Sequence, residues 1–246
     1  MNENTRWAKI VKNSVFTFII VLIIAVICLI ILKYHVEGEQ NMPFDLSEVL
    51  VVSTAEGYQK DYDNSEEWNV EIYQTNDIYL NFKKNKNYKQ KEIIKSIEIN
   101  NITINKQPKV GKMKIYIPND NEKDYNYEKD SIENNITYEG NIKSDLKNLK
   151  IANQGGTIIF RILNETGKTY ENEEEELKQD GTLLEKVGIS NEEVSSQVSF
   201  DIKINLESGV SFCGNVKLDL PTGDIVTQGV SSLDKKNTKD IVFKRE

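Results

Sequence analysis

An all-β domain of sandwich-like antiparallel sheets, with few short helices and attached to one N-terminal transmembrane helix, is what this sequence predicts. Three observations carry the prediction. A nineteen-residue run without a charge lies near the N-terminus, from Ser14 to Leu32. Beyond it, alternation of apolar and polar residues recurs along the chain, the pattern of half-buried strands. Helical periodicity is sparse, so many short strands separated by turn signals argue for two sheets packed face to face.

The apolar run comes first. At 1.5 Å per residue it makes a helix roughly 28 Å long, close to the ~30 Å hydrocarbon core of a bilayer. It is hydrophobic on every face and bounded by Lys12 and Lys33, which suits lipid better than a protein core. Trp7 and Tyr34 fall where the two interfaces would be. Arg6, Lys9 and Lys12 precede the run, whereas after Lys33 the next basic residue is Lys60. The positive-inside rule therefore predicts a cytoplasmic N-terminus and an extracytoplasmic domain in a single-pass cell-membrane protein. Lys33-Tyr34-His35-Val36-Glu37 lacks a small-x-small cleavage pattern, and Ile27 before Cys28 breaks a lipoprotein signal. No Glu sits early in the run, as a type IV pilin start would need. The run reads as a signal anchor. The predicted order is a tail over 1–13, the helix over 14–33, a spacer over 34–45 and a β-rich domain over 46–246.

The strands follow in sequence. Gly38 to Met42 reads as a polar spacer closed by Pro43, and Ser47 to Ala55 as a strand around Val49-Leu50-Val51-Val52. Trp68, Val70 and Ile72 alternate, as do Ile78, Leu80 and Phe82, and the residues Tyr73 to Asp77 between them suit a hairpin loop. Ile97 and Ile99 share one phase and Ile102 and Ile104 the other, so a bulge or turn is expected at Asn100-Asn101. Met113, Ile115 and Ile117 alternate before Pro118, and Asn119 to Glu139 reads as a long polar loop. Asn153-Gln154-Gly155-Gly156 reads as a turn feeding a strand over Thr157 to Leu163, since no Lys-Ser/Thr pair or helix supports a phosphate loop. The strongest signal is a hairpin. Val198, Phe200, Ile202, Ile204 and Leu206 alternate, Ser208-Gly209 turns the chain, and Val210, Phe212, Val216, Leu218 and Leu220 alternate again. Gly214 interrupts that second face, which a bulge or a close backbone would explain. Short helices are expected at Ile142–Leu149, Glu171–Lys178 and Leu183–Val187.

Composition narrows the chemistry. The net charge is −8, and the first 33 residues carry Arg6, Lys9, Lys12 and Lys33 against Glu3, leaving about −11 for the rest. Such a surface should repel nucleic acid and other polyanions, including anionic wall polymers, and a basic or neutral partner, or cations, would suit it better. The two cysteines are Cys28, inside the apolar run, and Cys213, so no disulfide forms within the domain. The sole histidine, His35, lies just past the run. Ser-His-Asp, Cys-His and zinc chemistry therefore have no histidine in the domain. Asp61, Asp63, Asn64 and Glu66 form a D-x-D-N-x-E cluster of oxygen ligands of the kind calcium takes, but without the glycine and distal Glu of an EF-hand loop. A solvated acidic loop is the plainer reading there, and a solvated helix face for Glu173 to Glu176. No cofactor is expected. Arg161, within an otherwise apolar strand, either pairs with a buried carboxylate or projects from the sheet. The sequons at Asn101, Asn135 and Asn164 read as chance in so Asn-rich a chain.

Several stretches carry a resemblance: Asn41-Met42-Pro43-Phe44 leading into VLVVSTAEG (49–57), NDIYLNF (76–82), ANQGGTIIFR (152–161), SFDIKINLESG (199–209) and LDLPTGDI (218–225). The chain resembles an uncharacterised family of single-span membrane-anchored surface proteins from low-GC Gram-positive, clostridia-like bacteria. The resemblance implies a bacterial cell-surface setting and supplies no catalytic residues.

Two functions compete. One is a non-catalytic module, tethered to the bilayer through Ser14 to Leu32, that binds an envelope component, a partner protein or another membrane subunit, and not nucleic acid. The alternative is a carboxylate-dependent enzyme acting on a cell-wall glycan. A groove with two carboxylates about 5–10 Å apart would favour it. A signalling role is disfavoured by the short tail.

Overall fold

The computed structural model describes residues 3–38, 41–59, 68–117, 135–141, 149–172 and 181–246. Its first element is α1 (Glu3–Glu37), a single straight run of sequence that contains the apolar stretch. Ile- and Val-rich sequence has weak helix propensity in water, but in apolar surroundings a helix alone satisfies every backbone group internally. Val11–Leu32 is long and apolar enough to cross a membrane, and 0% of its apolar window is buried inside the molecule. The helix stops at Gly38, whose φ of +83° is the left-handed turn that ends helices. A Cβ there would lie 2.3 Å from Val242 Cγ1 and 2.6 Å from the Phe243 carbonyl oxygen. Only glycine lets the helix end lie against the last strand of the domain.

That domain has two sheets. The first is built on three long strands, β1 (Phe44–Gln59), β2 (Trp68–Lys84) and, later in the chain, β7 (Gly155–Asn172). β4 (Lys112–Tyr116) and β10 (Val230–Lys235) flank them, giving the antiparallel order β10-β1-β2-β7-β4. The second sheet comprises β3 (Ile94–Lys106), β5 (Ile136–Gly140), β6 (Lys150–Ile151), β8 (Gln197–Leu206), β9 (Ser211–Asp219) and β11 (Phe243–Arg245). Its order is β11-β9-β8-β3-β5-β6, antiparallel except for the β5–β6 pair. Three single-turn helices complete the described residues: α2 (Leu183–Lys186), α3 (Asn191–Val194) and α4 (Ile225–Gln228).

The main core lies between the sheets. Val49, Val51, Ile78, Leu80, Ile158 and Phe160 face Ile97, Ile99, Val198, Phe200, Ile202 and Val216, all buried in one cluster. Phe160 and Phe200 meet edge to face across it, with ring centroids 5.2 Å apart. At about 3.3 Å per residue the long strands span more than 50 Å, and their far half carries a second, smaller core. There Ala55, Val70 and Ile72 are covered by Leu183 and Leu184 of α2, Ile189, Val194 of α3 and Ile225 of α4.

A buried polar belt divides the two cores. On adjacent strands the Ser53 hydroxyl donates to Asn76 Oδ1 (2.5 Å), and Asn76 Nδ2 donates to the Ile162 carbonyl (3.0 Å). Asn164 Nδ2 lies 3.3 Å from Gln74 Oε1 and donates to the Val110 carbonyl at 3.1 Å. Thr166 donates to the Ile72 carbonyl. Asn164 is fully buried, so its sequon is part of the core.

This belt corrects one expectation. Tyr73 to Asp77 is not a hairpin loop but the middle of β2. Gln74 and Asn76 keep the inward phase of Ile72 and Ile78, and cross-strand hydrogen bonds substitute for apolar contacts. Two further expectations change. Glu171 and Asn172 end β7 instead of starting a helix, and the end of the expected Asn119–Glu139 loop belongs to strand β5 (Ile136–Gly140). The remainder of those two segments, and Ile142 to Asn148, lie outside the described residues. The helix also runs over Glu3–Glu37, past both bounds of the expected 14–33 segment, so most of the expected tail and the start of the expected spacer are helical, and β1 takes in Phe44 and Asp45 of that spacer. Several other expectations match the structure. The β8–β9 hairpin turns at Ser208-Gly209, with Leu206 and Val210 hydrogen-bonded across it. Asn101, at φ 53°, forms the bulge that shifts β3 on β8. Leu183 and Leu184 start α2, and Gly188 follows it at φ 70°.

Gly214 has a different cause from a bulge or a close backbone. It pairs with Phe243 on β11, and a Cβ would stand 2.9 Å from the aromatic ring lying over it. Gly214→Val is expected to push that ring aside and cost about 1–3 kcal/mol. Urea unfolding of the full chain in detergent micelles, followed by circular dichroism, checks this.

Candidate functional site

The three long strands place two ends of the domain far apart, and α1 marks which is which. Gly38 packs on Val242 and Phe243, and β1 begins at Phe44 opposite Lys84. The loop after β2, the Ser208-Gly209 turn and the segment from Lys235 to Arg245 therefore gather at the end where the helix enters.

Two grooves open there. The larger has a volume of about 860 Å³ and lies between Met42 and Asp45–Ser47, Asn85 and Asn87, and Lys236–Lys239 with Ile241, Val242 and Phe243. Its polar wall is made of amides, the Ser47 and Thr238 hydroxyls, Lys239 and Lys236, the last paired with Asp234, a set that hydrogen-bonds oxygen-rich ligands. The single carboxylate in it is Asp45, which desolvation by its surroundings holds above the ordinary carboxylate range. The Thr238 hydroxyl donates to the Leu46 carbonyl and ties the Lys235–Asp240 turn to β1. Next to this groove a smaller one, of about 370 Å³, is lined by Asn41, Tyr88, Gln90, Glu92 and Arg245 among others. Each groove thus has one carboxylate. Glycoside hydrolysis takes two, one on each side of the bond.

Lysines crowd this end. Lys83, Lys84, Lys86, Lys89 and Lys91 fall within nine residues without an acid, and all are exposed. Lys236, Lys239, Lys244 and Arg245 are exposed too. Lys84 Nζ donates to Gln154 Oε1 at 3.0 Å, fastening the turn before β7 to the same end. The far termini of β1 and β7 lead in sequence into residues 60–67 and 173–180, which lie outside the described residues. In sequence they hold four acids and one lysine, and five acids and one lysine, respectively. The acids behind the net negative charge are thus concentrated in sequence away from these lysines. Sequence reasoning missed this site, although the runs KKNKNYKQK (83–91) and KKNTK (235–239) were its signal.

The residues singled out from sequence are scattered. Asp61, Asp63, Asn64 and Glu66 lie outside the described residues, as do Glu173 to Glu176, and so does the side chain of His35. Among the described residues no group of three or more His, Cys, Asp or Glu side chains could hold a metal ion. Cys213 points from the outer face of β9, half-buried. Burial, then Glu246 and Asp201, push its thiol pKa up, so it is a poor nucleophile.

Arg161 pairs with Asp77 directly across β2 and β7. Its Nε and Nη2 donate to the two carboxylate oxygens at 2.7 and 2.8 Å, with the side chains 12% and 17% exposed. The fork geometry is what lysine cannot reproduce. Arg161→Lys is expected to cost about 1–2 kcal/mol in the same urea titration. Further along these strands, Glu56 pairs with Tyr73 and Tyr58 with Glu71. The Tyr58 hydroxyl donates to Glu56 and that of Tyr73 to Glu71, while the rings meet at 5.5 Å. Desolvation, then the tie to Glu71, raises the Tyr73 pKa.

Fold and site together define a class: a two-sheet antiparallel β domain entered by one N-terminal apolar helix, with a basic, grooved end at the point of entry. Comparison with family models, with curated proteins and with solved structures finds no match to this chain.

Proposed function

We propose that this chain is a membrane-tethered, extracytoplasmic β-sandwich module, non-catalytic, that binds a component of the cell envelope or a partner protein. One observation carries the reading. The apolar segment Val11–Leu32 packs against nothing in the molecule, yet its helix runs unbroken into Gly38, which is seated on the domain. A helix apolar on all faces is stable in lipid, and the domain must then sit at the bilayer surface. Arg6, Lys9 and Lys12 support a cytoplasmic N-terminus. The resemblance to surface proteins of low-GC Gram-positive bacteria supports the cell-membrane setting. The larger groove, polar and with one carboxylate, suits binding better than hydrolysis.

The test is crosslinking in cells with the intact protein as bait. Recovery of a specific envelope component, lost when Asn85 and Asn87 are changed to Ala, is the expected result. Sugar release from purified cell wall by the intact chain would overturn it. The second reading, a carboxylate enzyme, draws on Glu56 and Glu71, which lie on adjacent strands beside Tyr58 and Tyr73. It requires that any sugar release vanish in Glu56→Gln and Glu71→Gln.

A further inference from the structure

The end of the domain entered by α1 gathers exposed lysines although the protein as a whole is acidic, with Asp234 and Asp240 there taken up by Lys236 and Lys235. From Leu32, the last residue of the apolar segment, to Gly38 the helix climbs about 9 Å. A bilayer's headgroup layer adds roughly 5–8 Å on each side of the hydrocarbon. Val242 and Phe243, against which Gly38 packs, therefore stand at the level where lipid headgroups end. Lys239, Lys244 and Arg245 flank them in sequence, and all three are exposed. Lys86, Lys89 and Lys91 project from the loop after β2, whose Asn85 and Asn87 share a groove with Lys239 and Val242. None of these six cations forms an ion pair among the described residues, whereas Lys235 and Lys236 at the same end pair with Asp240 and Asp234, and Lys109, Lys114 and Lys203 elsewhere pair with Glu192, Glu165 and Glu246. Val242, 46% exposed, adds an apolar side chain at the same level.

We propose that this basic end is a docking face for the anionic phospholipid headgroups of the leaflet from which the helix emerges. The proposal rests on the membrane-tethered reading above and names the envelope component that the site takes. Two attachments follow, the helix through the bilayer and the lysine face on its surface. Together they hold the sandwich upright on the bilayer. Charge complementarity decides the occupant: an anionic surface attracts each nearby lysine, and an acidic or neutral protein partner would have no reason to lie against the bilayer. The orientation rule is not broken, because it counts short loops and helix flanks and not folded domains.

The full-length chain is reconstituted in vesicles of phosphatidylcholine alone, or with about a third phosphatidylglycerol, and its lysines are acylated and read by mass spectrometry. Labelling of Lys86, Lys89, Lys91 and Lys239 is expected to slow about fivefold in the anionic vesicles. The slowing should vanish in about 1 M salt, while exposed Lys168 on β7 labels equally in both. Carbonate extraction is run on the same vesicles. A chain that stays in the membrane but labels equally in both lipids overturns the docking face and leaves the anchor intact. A chain that is extracted overturns both. If soluble poly(glycerol phosphate) protects these lysines on neutral vesicles and phosphatidylglycerol does not, the occupant is a wall polymer and the lipid proposal is wrong.

Discussion

Phe160→Ala is expected to destabilise the domain by about 3–5 kcal/mol, the usual cost of removing a fully buried aromatic side chain. Phe160 is 0% exposed on β7, and its ring meets Phe200 of β8 at 88° between planes. The pair joins the two sheets within the main core. The loss combines the transfer free energy of the ring, the cavity left behind and an edge-to-face contact of about 1 kcal/mol. Urea unfolding of the full chain in micelles reads it as a lower midpoint with an unchanged slope. A cost below about 1 kcal/mol would mean that the two sheets do not share this core.

The second large effect lies in the polar belt. Asn76→Ala is expected to cost about 2–4 kcal/mol, because it strips the Ser53 hydroxyl of its acceptor and the Ile162 carbonyl of a donor inside the fold. The double change Ser53→Ala with Asn76→Leu should recover most of that loss, since removing both partners leaves nothing unsatisfied. It should also leave the long strands less certain of their pairing. Strands that alternate over 16 to 18 residues can slip by two and still bury an apolar face. Such a slip would separate Ser53 from Asn76 and Gln74 from Asn164, which are direct cross-strand partners here. The belt thus pins the register. Hydrogen exchange measures the outcome: in the double variant, amides of β1 and β2 should exchange heterogeneously although global stability is near that of the parent. Uniform protection in the double variant would contradict a role in register.

The same residues explain what the sequence concealed. The β8–β9 hairpin was legible because every inward position except Gly214 is apolar and the turn is Ser-Gly. β2 was not, because Gln74 and Asn76 occupy inward positions with side chains that ordinarily signal a loop. β10 escaped notice as an edge strand with an exposed-to-half-buried pattern, and β11 because it is three residues long. α3 had a readable signal in Ser190-Asn-Glu-Glu193, where the Glu193 carboxylate accepts from the Ser190 N–H at 2.9 Å, a capping box. The basic end was hidden for another reason. Its lysines come from opposite ends of the domain's sequence and meet only because Phe44 pairs with Lys84 while Gly38 seats the helix on Val242. A net charge of −8 says nothing about such an arrangement.

The central claim is that α1 is a permanent anchor holding the sandwich outside the cell membrane. Protease protection tests it most directly. Cells carrying the chain with a C-terminal epitope are converted to protoplasts and treated with protease, and the membranes are probed for the epitope and for the mass of the untreated protein. The account predicts a full-length, uncleaved chain in untreated membranes and loss of the epitope from intact protoplasts. An epitope that survives until the protoplasts are lysed, or a released chain lacking Ser14 to Leu32, would contradict it.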